Sequence, residues 1–401
     1  MKKVLFGITS LTLGGAERVL VDLSNRLSTD YDITIFTIYD NGILKNQLNE
    51  NVKVISLYNK EFKEFNKIQR LIISFKLLFL DKPPEGYDKY IAFLEGPITR
   101  LFAKDINKKK NIKNLGVAQT SQTIALNNNS DERLEEEVKI AWVHNDISKV
   151  FGNGFISKIK RYFDKRIYQK FNRIVFVSKE NQDDFNKVYG NKFDEIIIRN
   201  YLDYNKVIEK SEEKIELPYD KNDINLLTVC RLEEQKAIDR FVKIHAQLEK
   251  EGIHCKVYVV GDGSQRYNIQ RLIDKLDETE SFYLLGAKEN PYPYIKNCDY
   301  FCLLSYYEGY GMVLDEAKIL NKPIIITDTA ARECVENYDK SIVLKNTEEG
   351  IFDGLKQILE YDIENETTTK KQKEAYINKI KKYYDKIIKD IEGTIGWKFQ
   401  Y

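Results

Sequence analysis

The chain has 401 residues, 42% of them hydrophobic, and a formal net charge of +1. That length favours two domains, each large enough to bury its own core, and the near-zero charge excludes a global field that would draw in nucleic acid. No apolar run reaches membrane-spanning length, and the five cysteines, all after residue 229 and without metal-like spacing, fit a reducing cytosol.

In chain order the pattern alternates strand and helix, as a doubly wound parallel sheet requires. Met1 to Thr9 has a short apolar run like that of a signal peptide, but it passes into Leu13-Gly14-Gly15-Ala16-Glu17 without a cleavage pattern. It reads as the first strand, Val4 to Ile8, and Gly14-Gly15 as the turn into a helix with Ala16, Val19, Leu20, Leu23 and Leu27 on one face. Strands follow at Ile33 to Ile38 and Val52 to Leu57. Residues 60–80 combine basic side chains with a strong apolar stripe: Ile68, Leu71, Ile72, Phe75, Leu78 and Phe79. Tyr87 to Gly96 reads as a strand running into a loop.

Residues 104–137 are the least globular part, with Lys108-Lys109-Lys110, an Asn-rich run and Glu135-Glu136-Glu137. A surface insertion is expected there. Lys139 to Asp146 restores the sheet and puts His144 at a strand's carboxyl end, where open α/β sheets place their ligands. It is one of three histidines; His245 in a helical pattern and His254 at a strand start look structural. Between Ile156 and Ile174 lies a cationic amphipathic stretch. Its apolar face is Ile156, Ile159, Phe163, Ile167 and Phe171, and Asp164 is the one acid among its basic residues. Such a segment suits either an anionic membrane surface or packing on the core with a solvated basic face. Strands at Arg173 to Ser178 and Glu195 to Asn200 complete the first half. The pair Asp183-Asp184 is not a convincing metal site.

After residue 203 a charged stretch with one proline, Pro218, reads as a connection. The strand Asn225 to Cys230 leads into Arg231-Leu232-Glu233-Glu234-Gln235-Lys236. Two cations five apart on a strand-to-helix loop can converge and neutralise a diphosphate leaving group. Val257 to Gly263 runs into Gly261-Asp262-Gly263, and Phe282 to Gly286 is another strand. The apolar strand Tyr300 to Leu304 opens Ser305-Tyr306-Tyr307-Glu308-Gly309-Tyr310-Gly311-Met312, and a helix from about Leu314 to Leu320 carries Glu316 about two turns in. The glycines bare backbone amides at the helix start, suited to an anion. One carboxylate would reach sugar hydroxyls and the other a ribose. Pro323 to Asp328 is a further strand, and the Lys- and Tyr-rich run from Lys370 to Ile391 looks helical.

The segment from Glu308 to Glu316 resembles the Glu-x7-Glu motif of the retaining glycosyltransferases of family 4, of the bacterial surface-polysaccharide type. The resemblance covers nearly all the chain outside residues 104–137 and implies the GT-B fold. That fold is α/β, with two Rossmann-like doubly wound parallel-sheet domains facing a central cleft. The first domain would span 1–203 on the acceptor side. The second, 204–375, would take the donor, and a helix over 376–401 would cross back to the first. Gly14 and Gly15 resemble the family's amino-terminal glycine loop, and His144 its cleft histidine. Arg231 and Lys236 resemble its Arg-Leu-x-x-x-Lys-Gly loop, although Gln235 and Ala237 replace the usual Glu and Gly.

By the same resemblance Glu308, Arg231, Lys236 and His144 are the catalytic candidates. Gly14, Gly15, Gly261, Leu284, Gly309, Tyr310, Gly311, Met312 and Glu316 are the donor-binding ones. No metal or other cofactor is expected, because the nucleotide sugar is itself a substrate. The implied reaction is transfer from a UDP-sugar to a glycan, with a lipid-linked acceptor in capsule, lipopolysaccharide or teichoic acid assembly favoured by the basic stretches. The expected place is the cytoplasm or the inner membrane face. The alternatives are a protein-glycosylating member and a catalytically silent scaffold. A nucleotide-sugar epimerase fits poorly with three histidines.

Overall fold

The computed structural model describes residues 1–12, 14–40, 42–104, 106, 138–144, 155–216, 218–219, 223–360 and 370–396, without the side chains of 155–159 and 370–374. Most of the expected insertion lies outside them. Its described beginning is well anchored: Lys104 Nζ donates to the Leu77 and Asp81 carbonyls, each at 2.7 Å, and Ile106 is buried. The chain divides into two units, Met1–Tyr201 with Ile387–Tyr401, and Leu202–Lys386.

In the first unit the inner strands are runs rich in Val, Ile, Leu and Phe buried on both faces, as a helix-covered parallel sheet demands, while the two edge strands are half-buried. The order of elements is β1 (Lys3–Ile8), α1 (Gly15–Leu27), β2 (Asp32–Tyr39), β3 (Lys53–Tyr58), α2 (Lys67–Phe79), β4 (Lys89–Ala92), α3 (Pro97–Phe102), β5 (Val138–Val143), α4 (Phe155–Tyr168), β6 (Arg173–Phe176), α5 (Lys179–Tyr189) and β7 (Glu195–Ile197). All strands are parallel, in the order β3-β2-β1-β4-β5-β6-β7. The order reverses between β1 and β4. The loops after those strands therefore frame the crevice where open sheets bind ligands.

The cationic stretch is not one helix to Ile174. It ends at Tyr168, and β6 begins at Arg173. Its facing agrees with the expected one at Ile167 and Phe171, which pack in the core, and differs at Phe163; the side chains of Ile156 and Ile159 lie outside the described residues. Tyr168 joins the core, and Asp164 accepts from the Tyr189 hydroxyl at 2.7 Å. Phe163, placed by sequence on the packed face, is 59% exposed. A part-buried carboxylate–tyrosine hydrogen bond and a large buried aromatic fix the helix rotation here, and the aliphatic spacing does not reveal them.

The second unit continues with α6 (Tyr204–Ser211), β8 (Asn225–Val229), α7 (Ile238–Lys250), β9 (Lys256–Val260), α8 (Arg266–Leu276), β10 (Phe282–Gly286), α9 (Tyr292–Asn297), β11 (Tyr300–Leu303), α10 (Met312–Ile319), β12 (Ile324–Thr327), α11 (Arg332–Val335), β13 (Ser341–Leu344), α12 (Glu348–Glu360) and α13 (Lys370–Gly396). From Ile387 onward α13 belongs to the first unit. Again every strand pair is parallel, in the order β10-β9-β8-β11-β12-β13. The reversal falls between β8 and β11. The stretch read as a connection contains α6, which Asp203 caps, and Asn290 Nδ2 binds its Lys210 carbonyl at 2.9 Å.

His245 is structural, as expected, and carries charge. It lies on α7 with no exposed surface; Nδ1 faces a Glu278 oxygen at 2.8 Å and Nε2 the Cys255 carbonyl at 3.0 Å. A carboxylate beside Nδ1 and a carbonyl at Nε2 both favour the protonated ring. Burial opposes the charge, but the hydrogen bonds to Cys255 and Glu278 outweigh it and raise the pKa to about 10. A folded pKa above the unfolded value near 6.5 gives stability that is complete below pH ~6.5 and lost as pH rises through ~10. Stability of the second unit should therefore fall by on the order of 3 kcal/mol between pH 6.5 and 10. Urea melts should show that slope flattened in His245→Gln. Equal slopes in both proteins would mean that the buried imidazole is neutral.

Candidate active site

Both sheets present their chemistry at the carboxyl edge. In the first unit Gly14 caps α1 and Gly15 begins it, straight after the β1 loop. Neither has a positive φ. A Cβ on Gly14 would meet the Glu17 carboxylate at 2.0 Å, so glycine there admits a close side chain. His144 follows β5 on the same edge. Its backbone N–H donates to the Glu95 carboxylate, from the loop after β4. Its ring lies 4.8 Å from Phe93 and stacks at 6.3 Å on Trp142. Burial among these aromatics pushes its pKa down to about 3, so the imidazole is neutral at working pH. Nε2 is buried without a hydrogen-bond partner among the described residues.

In the second unit Lys236 and Glu308 meet. Lys236 ends a short 3-10 turn after β8, and Glu308 lies on the loop after β11, so the pair straddles the reversal point. The ammonium contacts Glu308 Oε1, which also accepts from Ser305 Oγ at 2.8 Å. Glu308 is 5% exposed. Ser305 is itself held, because its carbonyl accepts from Thr327 Oγ1 at 2.8 Å. Gln235 clamps the same loop, donating to the Tyr307 carbonyl at 2.9 Å and accepting from the Tyr306 N–H at 3.0 Å. Arg240, buried on α7, donates to the Leu304 carbonyl at 2.7 Å and lies over the Tyr306 ring at 4.3 Å. The sequence pattern does not single out Ser305, Arg240 or the positioning role of Gln235. Only the folded loop brings them to Glu308.

Ala237, which replaces the glycine of the loop it resembles, adopts the left-handed conformation at φ 52 and ψ 35 and caps α7. The backbone that glycine would favour is thus kept at a cost of ~1–2 kcal/mol. Arg231 is exposed on the same loop. Gly261, directly after β9, has φ +148 and donates to the Gly286 carbonyl at 2.9 Å. Leu284 on β10 offers its carbonyl to Arg266 at 3.3 Å.

Gly311, at φ 67, caps α10, which starts at Met312, earlier than expected. Counted from Met312, Glu316 sits a little over one turn in, where two turns were expected. It is buried and takes the Tyr292 hydroxyl at 3.3 Å. The first-turn amides of α10 point out of its amino end, where a helix favours an anion. Gly309 faces open space: a Cβ on it would have no neighbour within 4 Å. Tyr310 is buried, so it serves the loop as packing and its carbonyl engages Cys334.

A cation–carboxylate pair beside a helix amino end, at the reversal point of a parallel sheet, is suited to a phosphorylated sugar. The comparisons agree with that chemistry. Residues 209–381 match the family described as Glycosyl transferases group 1. A relative in Campylobacter jejuni is N-acetylgalactosamine-N,N'-diacetylbacillosaminyl-diphospho-undecaprenol 4-alpha-N-acetylgalactosaminyltransferase. It is 27% identical, with 96% of this chain and 97% of that protein aligned. A second C. jejuni protein, a GalNAc-alpha-(1->4)-GalNAc-alpha-(1->3)-diNAcBac-PP-undecaprenol alpha-1,4-N-acetyl-D-galactosaminyltransferase, is 24% identical over 79% of this chain and 77% of its own length. Among solved structures, Anabaena Alr3699/HepE in complex with UDP and glucose matches at TM-score 0.68 and 16% identity. The match covers 99% of this chain and 100% of that one, a likeness of fold. The chain is a glycosyltransferase with the GT-B fold, and its residues 209–381 match the family described as Glycosyl transferases group 1.

Proposed function

We propose that the chain transfers a hexosyl unit from a UDP-sugar, with retention of configuration, to a glycan carried on a lipid diphosphate. The observation that carries this reading is the Lys236–Glu308 pair at the reversal point of the second sheet, next to the Gly311-capped start of α10. Lys236, Arg231 and the α10 amides take the diphosphate, whose negative charge grows as the glycosidic bond breaks. Glu308, released from Lys236, binds donor-sugar hydroxyls, and Glu316 the ribose. Gly261 and Leu284 line the nucleotide side. On the acceptor unit His144, neutral and with its Nε2 unpartnered among the described residues, supplies a hydrogen-bonding group. Gly14 and Gly15 let the acceptor-side loop come close.

The acceptor hydroxyl attacks from the face that the diphosphate leaves, and the departing phosphate oxygen takes its proton. No metal or cofactor enters the scheme. The UDP choice draws support from the HepE complex, and the lipid diphosphate from the two C. jejuni relatives, both undecaprenol-linked by name. Thermal stabilisation against UDP-, GDP-, ADP- and CMP-sugars tests it. At a hundred times its dissociation constant a donor adds about 2.7 kcal/mol. UDP-sugars alone should shift the melt, and Glu316→Ala should lose the shift. The sugar that binds, given a polyprenyl-diphosphate glycan, should yield a product with the donor's anomeric configuration by NMR. An inverted product, or stabilisation by a different nucleotide only, would overturn the corresponding part.

A further inference from the structure

Helix α2 is unusual for a water-facing element. Ile73 is its one fully buried residue, and it rests on the unit through the face containing Arg70, Ile73 and Leu77. The opposite side presents Ile68, Leu71, Ile72, Phe75, Leu78 and Phe79 to solvent, with Leu71 73% and Phe79 62% exposed. These positions recur at three- and four-residue steps, so they form one continuous apolar stripe. A contiguous exposed patch of this kind marks an interaction surface. The helix is properly built: Asn66 caps it, and Gln69 completes a reciprocal capping box.

We propose that α2 is a membrane-docking helix that lies in the plane of an anionic bilayer with its apolar stripe among the acyl chains. Charge selects this occupant. From Lys67 to Leu80 the helix carries Lys67, Arg70 and Lys76 and no acid. A second copy meeting it across a two-fold axis would set those cations against each other with no carboxylate on the helix to pair them. Anionic headgroups pair Lys67 and Lys76, while Arg70, on the packed face, donates to the Lys63 and Phe65 carbonyls. Helix α2 packs on α3 and α3 on α4, where Tyr162 and Phe163 are exposed and Arg166 lies over the Tyr162 ring at 5.1 Å. Among the described residues no helix is long and apolar enough to cross a membrane, so the attachment made by α2 is interfacial. The proposal deepens the lipid-linked acceptor reading and rests on it for a bilayer as the source of the negative charge.

Flotation of the full chain with phosphatidylglycerol/phosphatidylcholine vesicles tests it. The wild type should float with the anionic vesicles and much less with phosphatidylcholine alone. Leu71→Glu with Phe75→Glu should reduce partitioning at least tenfold at an unchanged melting temperature, because both side chains are already in water. Lys67→Glu with Lys76→Glu should abolish the preference for anionic lipid, and this pair decides the matter if the first variant folds poorly. Equal flotation of wild type and both variants would overturn the proposal. So would a wild-type dimer that the first variant turns into monomer while flotation stays the same, since a second copy would then occupy the stripe. Flotation lost in the variants upholds the docking face even if transfer to every polyprenyl-linked acceptor fails. That failure would count against the acceptor reading alone.

Discussion

Lys236→Met is expected to lower kcat for sugar transfer by about 10^2–10^3-fold, the size of effect seen when one preorganised stabiliser of transition-state charge is removed. The diphosphate carries more charge at the transition state than when bound as donor, so kcat should fall further than KM rises. The same substitution also touches stability. Lys236 is the cation beside Glu308, which is buried and otherwise held by Ser305 Oγ. Alone in that position the carboxylate loses its compensation, at a cost of about 2–3 kcal/mol.

A second variant separates the two roles. Lys236→Met with Glu308→Gln removes both charges and keeps a group that can accept from Ser305. Its stability should return to within about 1 kcal/mol of wild type, while its transfer rate stays at or below that of the single variant. Calorimetry and initial rates on the two proteins are the measurement. Recovery of both stability and turnover in the double variant would show that Lys236 acts only by neutralising Glu308 and has no part in the diphosphate site.

Much of this is legible in the sequence because a doubly wound sheet writes itself locally. Buried parallel strands are short β-branched runs, and the loops at their carboxyl ends carry glycines and charges. On that basis β1 to β12 and the order of Lys236, Gly261, Glu308 and Glu316 can be read from the residues alone. What escapes depends on contacts between distant segments. Strand β13 is an edge strand, half exposed and only four residues long, so its run of Ser341 to Leu344 lacks a strong pattern. The rotation of α4 follows from Asp164 meeting Tyr189, a residue 25 positions away. The helical spacing puts the start of α10 two residues late, because a left-handed Gly311 can end a loop or cap a helix and only the fold decides. Ser305 reads as loop punctuation, and its hydrogen bond to Glu308 comes from how the loop turns back on itself.

The largest structural effect is expected from Gly261→Ala. Gly261 has φ +148, a backbone that side chains rarely adopt, and a Cβ there would lie 1.8 Å from the Cys230 carbonyl oxygen. The obstacle is backbone, so no rotamer change relieves it. Both strands are tied at that point: Cys230 N donates to Val260 O at 3.0 Å, Gly261 N to Gly286 O at 2.9 Å and Leu232 N to Asp262 O at 2.9 Å. An alanine must push the end of β9 away from β8 and break part of this ladder, at a cost of about 3 kcal/mol or more. For a unit of this size that lowers the melting temperature by about 6–12 °C. The displaced segment carries Arg231, so donor stabilisation should be lost as well. Gly309→Ala is the control from the same site: it has an ordinary φ and open space around it, and should cost under about 1 kcal/mol. A Gly261→Ala protein that melts within about 2 °C of wild type would mean that β8 and β9 can separate there freely. The glycine would then serve the nucleotide side of the site without holding the two strand ends together.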